Sequence, residues 1–432
     1  MDKRQLHIGV LLIGCGHHSG AWLMEDSSVE RIGDITYYQS LAQLAERGYF
    51  DAVFFADNQA LQVSGNDDMP SFWYDPLINL TAISKVTKHV GLVATISSSF
   101  ANPFTAARQL LSLEHITNGR VGWNLVTSMT DLEAMNHSMT KLPNHSERYG
   151  KADEFAQVMN KLMVSWDAEA LGYNRATGEL IDAQQIKPIS HTGKYYHVQG
   201  PLTTPQSPQG KPVAMQAGAS KQGIALAAKY ADAVYSVSWN LTQARNYRQK
   251  LDAQLEKMNR HDYIQVFPGL VTYVGNTYEE ALAKKTYLDK HMPIEKALKQ
   301  LSFFVQQDCS TWPLDEPVPE LPALNEFEGP IGRYETILAI IEEKQPTVRE
   351  LLGYISAGGG HLTLIGTPEQ IVDEMEHWLN DGVADGFNLM PPTLPGSLED
   401  FVEYIVPELQ KRDLYRHNYT TTTLRGHLSL DK

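Results

Sequence analysis

The residues best suited to chemistry stand singly, where short apolar runs end. Asp57 follows the run Asp51–Ala56. Thr95 lies near the end of Val90–Ile96, with Ser97, Ser98 and Ser99 directly after it. Asn124 sits inside Arg120–Val126, and Thr127 and Ser128 close that run. His145 and Tyr149 are four apart at a helix start, so they share one face. Gly218-Ala219-Ser220 separates an apolar run from a helical pattern. Each has a plain alternative. Asp57 could cap a loop, and the hydroxyls could bond their own backbone. His145 and Tyr149 could be surface residues. Asn124 is harder to dismiss, because a buried amide needs a hydrogen-bond partner. Free N–H groups at a helix start, beside a hydroxyl, suit a phosphate. They equally suit an ordinary N-cap.

Other chemistries fail on spacing. Gly14-Cys15-Gly16 follows a strand, as in a dinucleotide fingerprint. Ser19 stands where the third glycine belongs, and no helical pattern follows at once. His17-His18 point apart on a strand end and lack an acidic partner at ligand spacing, so no metal site is expected. His17 remains a candidate acid or base, because imidazole titrates near neutrality; a catalytic residue is otherwise not identifiable. Nucleophile-triad, HExxH, CxxC and phosphate-loop signatures are absent. Hard chemistry would therefore fall to a bound organic cofactor.

Eight apolar runs supply the strands that would hold these residues: His7–Ile13, Asp51–Ala56, Val90–Ile96, Arg120–Val126, Pro212–Gln216, Asp232–Val237, Ile264–Val274 and Gly386–Met390. Each precedes an amphipathic stretch. That alternation predicts a parallel sheet, and eight units favour an α/β fold of the closed (β/α)8 TIM barrel type. One barrel domain would span residues 1–432. Two stretches break the rhythm, after the fourth and seventh strand–helix units: an insertion at 167–212 and a helical insertion at 292–360. Both could roof one mouth. Pro268 and Gly269 predict an irregularity in the seventh strand. A polar, Met-rich loop follows Ser128. Asp75, Asn102 and Thr367 each precede a proline at a helix start. The tail from Asp413 is polar and would wrap the surface or a partner. Barrel sites form at the carboxyl ends of strands, where the residues above and Asn388, in the eighth run, fall.

Bulk properties narrow the partners. The net charge of −15 over 432 residues argues against nucleic acid. Two cysteines, Cys15 and Cys309, imply no disulfide framework and point to a reducing cytoplasm. The longest apolar runs are too short to span a membrane, and the N-terminal run lacks a clean cleavage site.

Four segments in order carry a resemblance: NGRVGWNLVTS (Asn118–Ser128), HSERYGKADEF (His145–Phe155), QAGASKQGIALAAKYADAVY (Gln216–Tyr235) and LIGTPEQIVDEMEHWLNDGVADGFNLMPP (Leu364–Pro392). Together they resemble the bacterial-luciferase-like flavin monooxygenases. The likeness is greatest to the branch of nitrilotriacetate monooxygenase component A, EDTA monooxygenase, dibenzothiophene-sulfone monooxygenase and the pristinamycin synthase large subunit, and it runs from Leu6 to about Leu409. The resemblance implies a barrel that binds reduced FMN as co-substrate, delivered by a separate NAD(P)H-dependent flavin reductase, and that uses dioxygen. It assigns cofactor contacts to Asp57, Thr95, Asn124, His145, Tyr149 and Ser220, with Asn124 beside the ring and Ser220 at the phosphate. It also implies a non-proline cis peptide at Ser97-Ser98, at a cost of roughly 3–4 kcal/mol. A homodimer or homotetramer would be usual. Expected chemistry is C–N or C–S cleavage of a small nitrogen- or sulfur-containing organic compound, preferably an acid. Two alternatives share the barrel: a deazaflavin-dependent oxidoreductase and a non-catalytic flavin-binding protein.

Overall fold

The computed structural model describes residues 4–61, 74–324, 327, 331–357 and 359–430. Most of the polar loop leading to Tyr74, and Gly358, lie outside those residues.

Apolar runs become strands because their residues can be buried on both faces. Strands β1 (His7–Leu11), β2 (Ala52–Phe55), β3 (Gly91–Ser97) and β4 (Val121–Val126) come first. Two hairpins follow, β5 (Leu171–Asn174) with β6 (Glu179–Ile181), and β7 (His191–Thr192) with β8 (His197–Val198). Then come β9 (Val213–Gln216), β10 (Ala233–Ser236), β11 (Gln265–Val274), β12 (Leu362–Gly366) and β13 (Gly386–Leu389). The parallel order is β10-β9-β4-β3-β2-β1-β13-β11, and β11 pairs back with β10. Eight strands thus close the expected (β/α)8 barrel.

The seventh strand departs from expectation. Pro268 and Gly269 do not interrupt it; all ten residues of β11 are buried in one run. They mark where its partners change. Ser236 of β10 stands opposite Pro268, and from Leu270 to Val274 the strand pairs with β12. Pro268 has no N–H to donate, so it fits the handover. β12 itself, a ninth strand, was not expected.

Most of the long helices start where a side chain caps them. Asp34 caps α1 (Ile35–Arg47) and Asp75 caps α2 (Pro76–Ile83), and Asn102 Oδ1 accepts from the Phe104 and Thr105 amides ahead of α3 (Pro103–Thr117). Thr367 and Gln370 form a capping box on the helix Pro368–Asn380. The Met-rich loop also holds a helix, α4 (Asp131–Asn136), capped by Thr130 with Glu133. Next comes α5 (His145–Met163), and Glu154 on it accepts from the Tyr195 and Tyr196 amides at 3.0 and 2.9 Å, which ties down the β7–β8 hairpin. After β9 comes α6 (Lys221–Tyr230), after β10 comes α7 (Leu241–Lys257), and after β11 comes α8 (Tyr278–Lys290). Three helices, α9 (Ile294–Val305), α10 (Ile331–Lys344) and α11 (Val348–Ser356), pack around their own core, which includes Leu301, Tyr334, Ile337 and Leu351. Among the described residues no helix is long and apolar enough to cross a membrane.

The tail does more than wrap the surface. Leu424 and Leu428 are buried among Ala52, Val93, Val213 and Phe267, inside the amino-terminal end of the barrel. Space comes from Gly91, where a Cβ would stand 2.5 Å from the Leu424 side chain. The Arg425 amide donates to Gln209 at 2.9 Å, and its guanidinium pairs with Asp232 at 2.9 Å. A mostly polar tail hid two leucines that close the barrel floor.

Candidate functional site

Thr95 and Asn124 stand opposite each other in the β3–β4 register. The Asn124 Nδ2 donates to Thr95 Oγ1 at 3.2 Å. Both are buried, and Asn124 Oδ1 has no protein partner. Beyond them the strand ends are laced by hydroxyls. Ser97 and Ser128 meet at 2.8 Å, and Ser99 Oγ donates to the Thr127 carbonyl at 2.6 Å. The Ser97–Ser98 peptide is trans, against expectation; the cis bonds among the described residues precede Pro201 and Pro395. The reason is local: the Ser98 amide donates to the Val126 carbonyl at 2.9 Å, continuing the ladder from β3.

A second cluster forms at α6. Ser220 is its N-cap, with Oγ accepting from the Gly223 amide at 3.0 Å. Gly218 packs so closely on Gly223 that a Cβ at Gly218 would stand 2.7 Å from the Gly223 Cα. A Cβ at Gly223 would stand 3.2 Å from the Tyr149 hydroxyl. Tyr149 therefore reaches from the second turn of α5 to the first turn of α6. His145 lies against it, ring centroids 4.6 Å apart. Partial burial, then the adjacent Arg148 cation, lowers the His145 pKa.

Asp57 stands apart from both clusters. It follows β2, accepts from Gln59 Nε2 at 2.8 Å, and burial raises its pKa. Gln59 in turn accepts from Asn136 of α4 at 2.8 Å. No hydrogen bond joins Asp57 to Thr95 or Asn124 among the described residues.

Sequence reasoning missed Arg148, His361 and Arg333 here. Arg148 Nη1 donates to the Ser128 carbonyl at 2.5 Å, while its buried Nε has no partner. It lies inside the quoted His145–Phe155 segment but was masked by its flanking histidine and tyrosine. His361 directly precedes β12; its ring covers Gly269 of β11, where any Cβ would collide with it. His361 Nδ1 and the nearby strand residue Asn388 Oδ1 are buried without partners. Arg333, in the first turn of α10, donates to the Gly359 carbonyl at 2.5 Å. No local pattern joins these residues; only the fold does.

His17 is held at the end of β1 by a hydrogen bond between Nε2 and the Leu11 carbonyl, 3.1 Å. A carbonyl only accepts, so Nε2 carries the proton and Nδ1 keeps its lone pair. Burial pulls the pKa down to about 4, so the ring is neutral at pH 7. His361 is lowered well below the usual histidine value by burial, then by Arg333 and His17.

The Luciferase-like monooxygenase model matches residues 11–385. N-acetyl-S-(2-succino)cysteine monooxygenase from Bacillus subtilis (strain 168) is 37% identical, over 100% of this chain and 98% of that protein. Nitrilotriacetate monooxygenase component A from Aminobacter aminovorans is 36% identical, over 99% and 97%. A crystal structure of riboflavin lyase, with modified FMN and substrate riboflavin, superposes with a TM-score of 0.84 at 26% identity, covering 98% of this chain and 95% of that one.

Proposed function

The chain belongs to the luciferase-like monooxygenase family, and from that premise we propose that it is the oxygenase of a two-component system, taking reduced FMN from a separate flavin reductase. Its substrate would be a small nitrogen- or sulfur-containing organic compound, oxidised with C–N or C–S cleavage. The single observation that carries the reading is the pair of clusters at one barrel mouth: a buried amide with an idle oxygen at Asn124, and a helix N-terminus with Ser220 and Tyr149.

These residues fit a flavin nucleotide. The idle Asn124 oxygen would accept from a ring N–H, and Thr95 holds the amide in that orientation. The N–H groups in the first turn of α6 lack helical acceptors and suit a phosphate. Exposed Ser220 and the Tyr149 hydroxyl would donate to its oxygens. His145 would orient Tyr149, and Asp57 would contact the flavin from the β2 loop. Bound reduced FMN would supply two electrons to dioxygen, with one oxygen atom entering the substrate and the other leaving as water. The chain's part is to keep bulk water from that chemistry. The β7–β8 hairpin would serve this, with Tyr196 donating to the Ser98 carbonyl at 3.3 Å just past the end of β3. His17, neutral with a lone pair at Nδ1, can accept a proton at the mouth. The names of the Bacillus subtilis and Aminobacter aminovorans relatives support the substrate class, since both are monooxygenases of a sulfur- or nitrogen-containing compound.

The test supplies the chain with FMN, NADH and a flavin reductase, and screens candidate compounds for oxygen consumption coupled to product. Reduced FMN should bind more tightly than oxidised FMN. Identical rates of reduced-flavin oxidation with and without the chain would sink the proposal.

A further inference from the structure

Asn388 lies across the barrel from Asn124. Three strands separate β4 from β13 either way round the ring, β3-β2-β1 on one side and β9-β10-β11 on the other. Phe387 and Leu389 belong to the helix-side core with Trp378, so the side chain between them points inward. Glycine flanks it on both neighbouring strands: Asn388 is in register with Gly9 of β1 and with Gly269 of β11. A Cβ at Gly9 would stand 3.3 Å from Asn388 Oδ1. Gly269 shares a face with Phe267, which packs inside the barrel against Ala52, Val93 and Val213. The His361 ring that covers Gly269 is therefore inside as well. Asn388 is 4% exposed and His361 8%, and neither Asn388 Oδ1 nor His361 Nδ1 has a protein partner. Both side chains are neutral, since burial, then Arg333 and His17, hold the imidazole well below its usual pKa.

From this we infer that Asn388 and His361 form a neutral hydrogen-bonding subsite for a secondary amide on the substrate, whose N–H donates to Asn388 Oδ1 and whose carbonyl accepts from His361 Nδ1. The inference rests on the flavin reading of the same mouth, in which Asn124 on the far wall holds the flavin ring. A buried polar atom without a partner is costly, and two gathered at Gly269 mark a place that a ligand completes. A secondary amide carries one donor beside one acceptor and no charge. A carboxylate brings only acceptors and has nothing to donate to Asn388 Oδ1. An ammonium group brings a charge into a site whose two side chains are neutral, and its desolvation there is costly. Glycine at position 9 keeps the approach to Oδ1 free of a side chain.

The experiment titrates the full chain by calorimetry, with and without oxidised FMN. The probes are N-acetyl-S-methylcysteine, N-acetyl-S-benzylcysteine and, for each, the acetate ester in which oxygen replaces the amide N–H. At least one amide should bind the parent chain roughly tenfold more tightly than its ester, because the ester leaves Asn388 Oδ1 unpaired. Asn388→Leu should bring that amide and its ester to equal affinity and leave FMN affinity unchanged. Asn388→Ala, a smaller change, decides the matter if the leucine variant does not fold. His361→Phe keeps a ring over Gly269 and should weaken amide and ester alike, since both retain the carbonyl. Equal affinity of amide and ester for the parent overturns the subsite, as does unchanged amide affinity in the phenylalanine variant or failure of both amides to bind the parent at millimolar concentration. A fall in FMN affinity in Asn388→Leu also overturns it, because the flavin would then occupy the same place. Absence of FMN binding to the parent would instead overturn the flavin reading, while the FMN-free titration still judges the subsite.

Discussion

Asn124 Nδ2 donates to Thr95 Oγ1 across neighbouring strands, which commits one side of the amide and leaves Oδ1 idle in a buried position. A buried polar atom without a partner costs about 1–3 kcal/mol, so folding alone does not favour it. Asn124→Leu should therefore be near-neutral or stabilising in urea unfolding. It should weaken reduced-FMN binding roughly fivefold to tenfold, the worth of one hydrogen bond of about 1 kcal/mol. Unchanged flavin affinity and turnover would mean the site has been placed wrongly.

Ser220→Asp separates the N-cap role from the phosphate role. Aspartate caps as well as serine, so the melting temperature should hold. Its charge would repel a phosphate, so FMN affinity should fall at least tenfold while riboflavin affinity does not change. Equal losses for both flavins would place the phosphate elsewhere.

His17 gives a pH signature. Its folded pKa, about 4, lies below the ordinary value of 6.5, so the unfolded chain takes up the proton first. That contribution to stability is full above pH 6.5 and is lost as pH falls from 6.5 towards 4. At 1.36 kcal/mol per unit it is on the order of 3 kcal/mol. His17→Gln should flatten the fall in melting temperature across that window. A fall of the same steepness in the variant would count against the buried neutral ring.

Glu114 titrates with the opposite sign. It is fully buried and accepts from the Val121 amide and Gln209 Nε2, both at 2.7 Å, with Ser207 on its other oxygen. Burial raises its pKa from 4.5 to about 7. A raised carboxyl contributes stability below pH 4.5 that is lost as pH rises through 7. Glu114→Gln keeps each bond, the amide nitrogen donating to Ser207. The variant should gain on the parent in melting temperature from pH 5 to pH 8, by the equivalent of about 1–3 kcal/mol. A constant difference across that range would refute the assignment.

Leu424 tests the barrel floor. Leu424→Ala should cost about 2–5 kcal/mol, read as a lower urea midpoint at unchanged slope. A loss under about 0.5 kcal/mol, the size of an ordinary surface change, would mean the tail is not part of the core.

Much of the fold was legible because strand, turn and cap signals are local. The eight barrel strands, and the caps at Asp75, Asn102 and Thr367, were read from neighbouring residues alone. β12 escaped notice because five residues after three glycines carry little pattern, and α4 because six residues complete fewer than two turns. Thr95, Asn124, Tyr149 and Ser220 were legible as polar residues at strand ends and helix starts. Arg333 and His361 were not, since their meaning depends on partners far along the chain. The tail was misread because burial of Leu424 depends on Gly91, more than three hundred residues away.

Gly269 and His361 carry a consequence for how this sequence can drift. The imidazole occupies the space where any side chain at position 269 would begin. A lone mutation away from glycine at 269 must evict the histidine from the mouth. A lone loss of the histidine opens a hollow that position 269 could then fill. Variation at the two positions should be correlated across descendants of this gene, with histidine at 361 seldom found unless glycine is retained at 269.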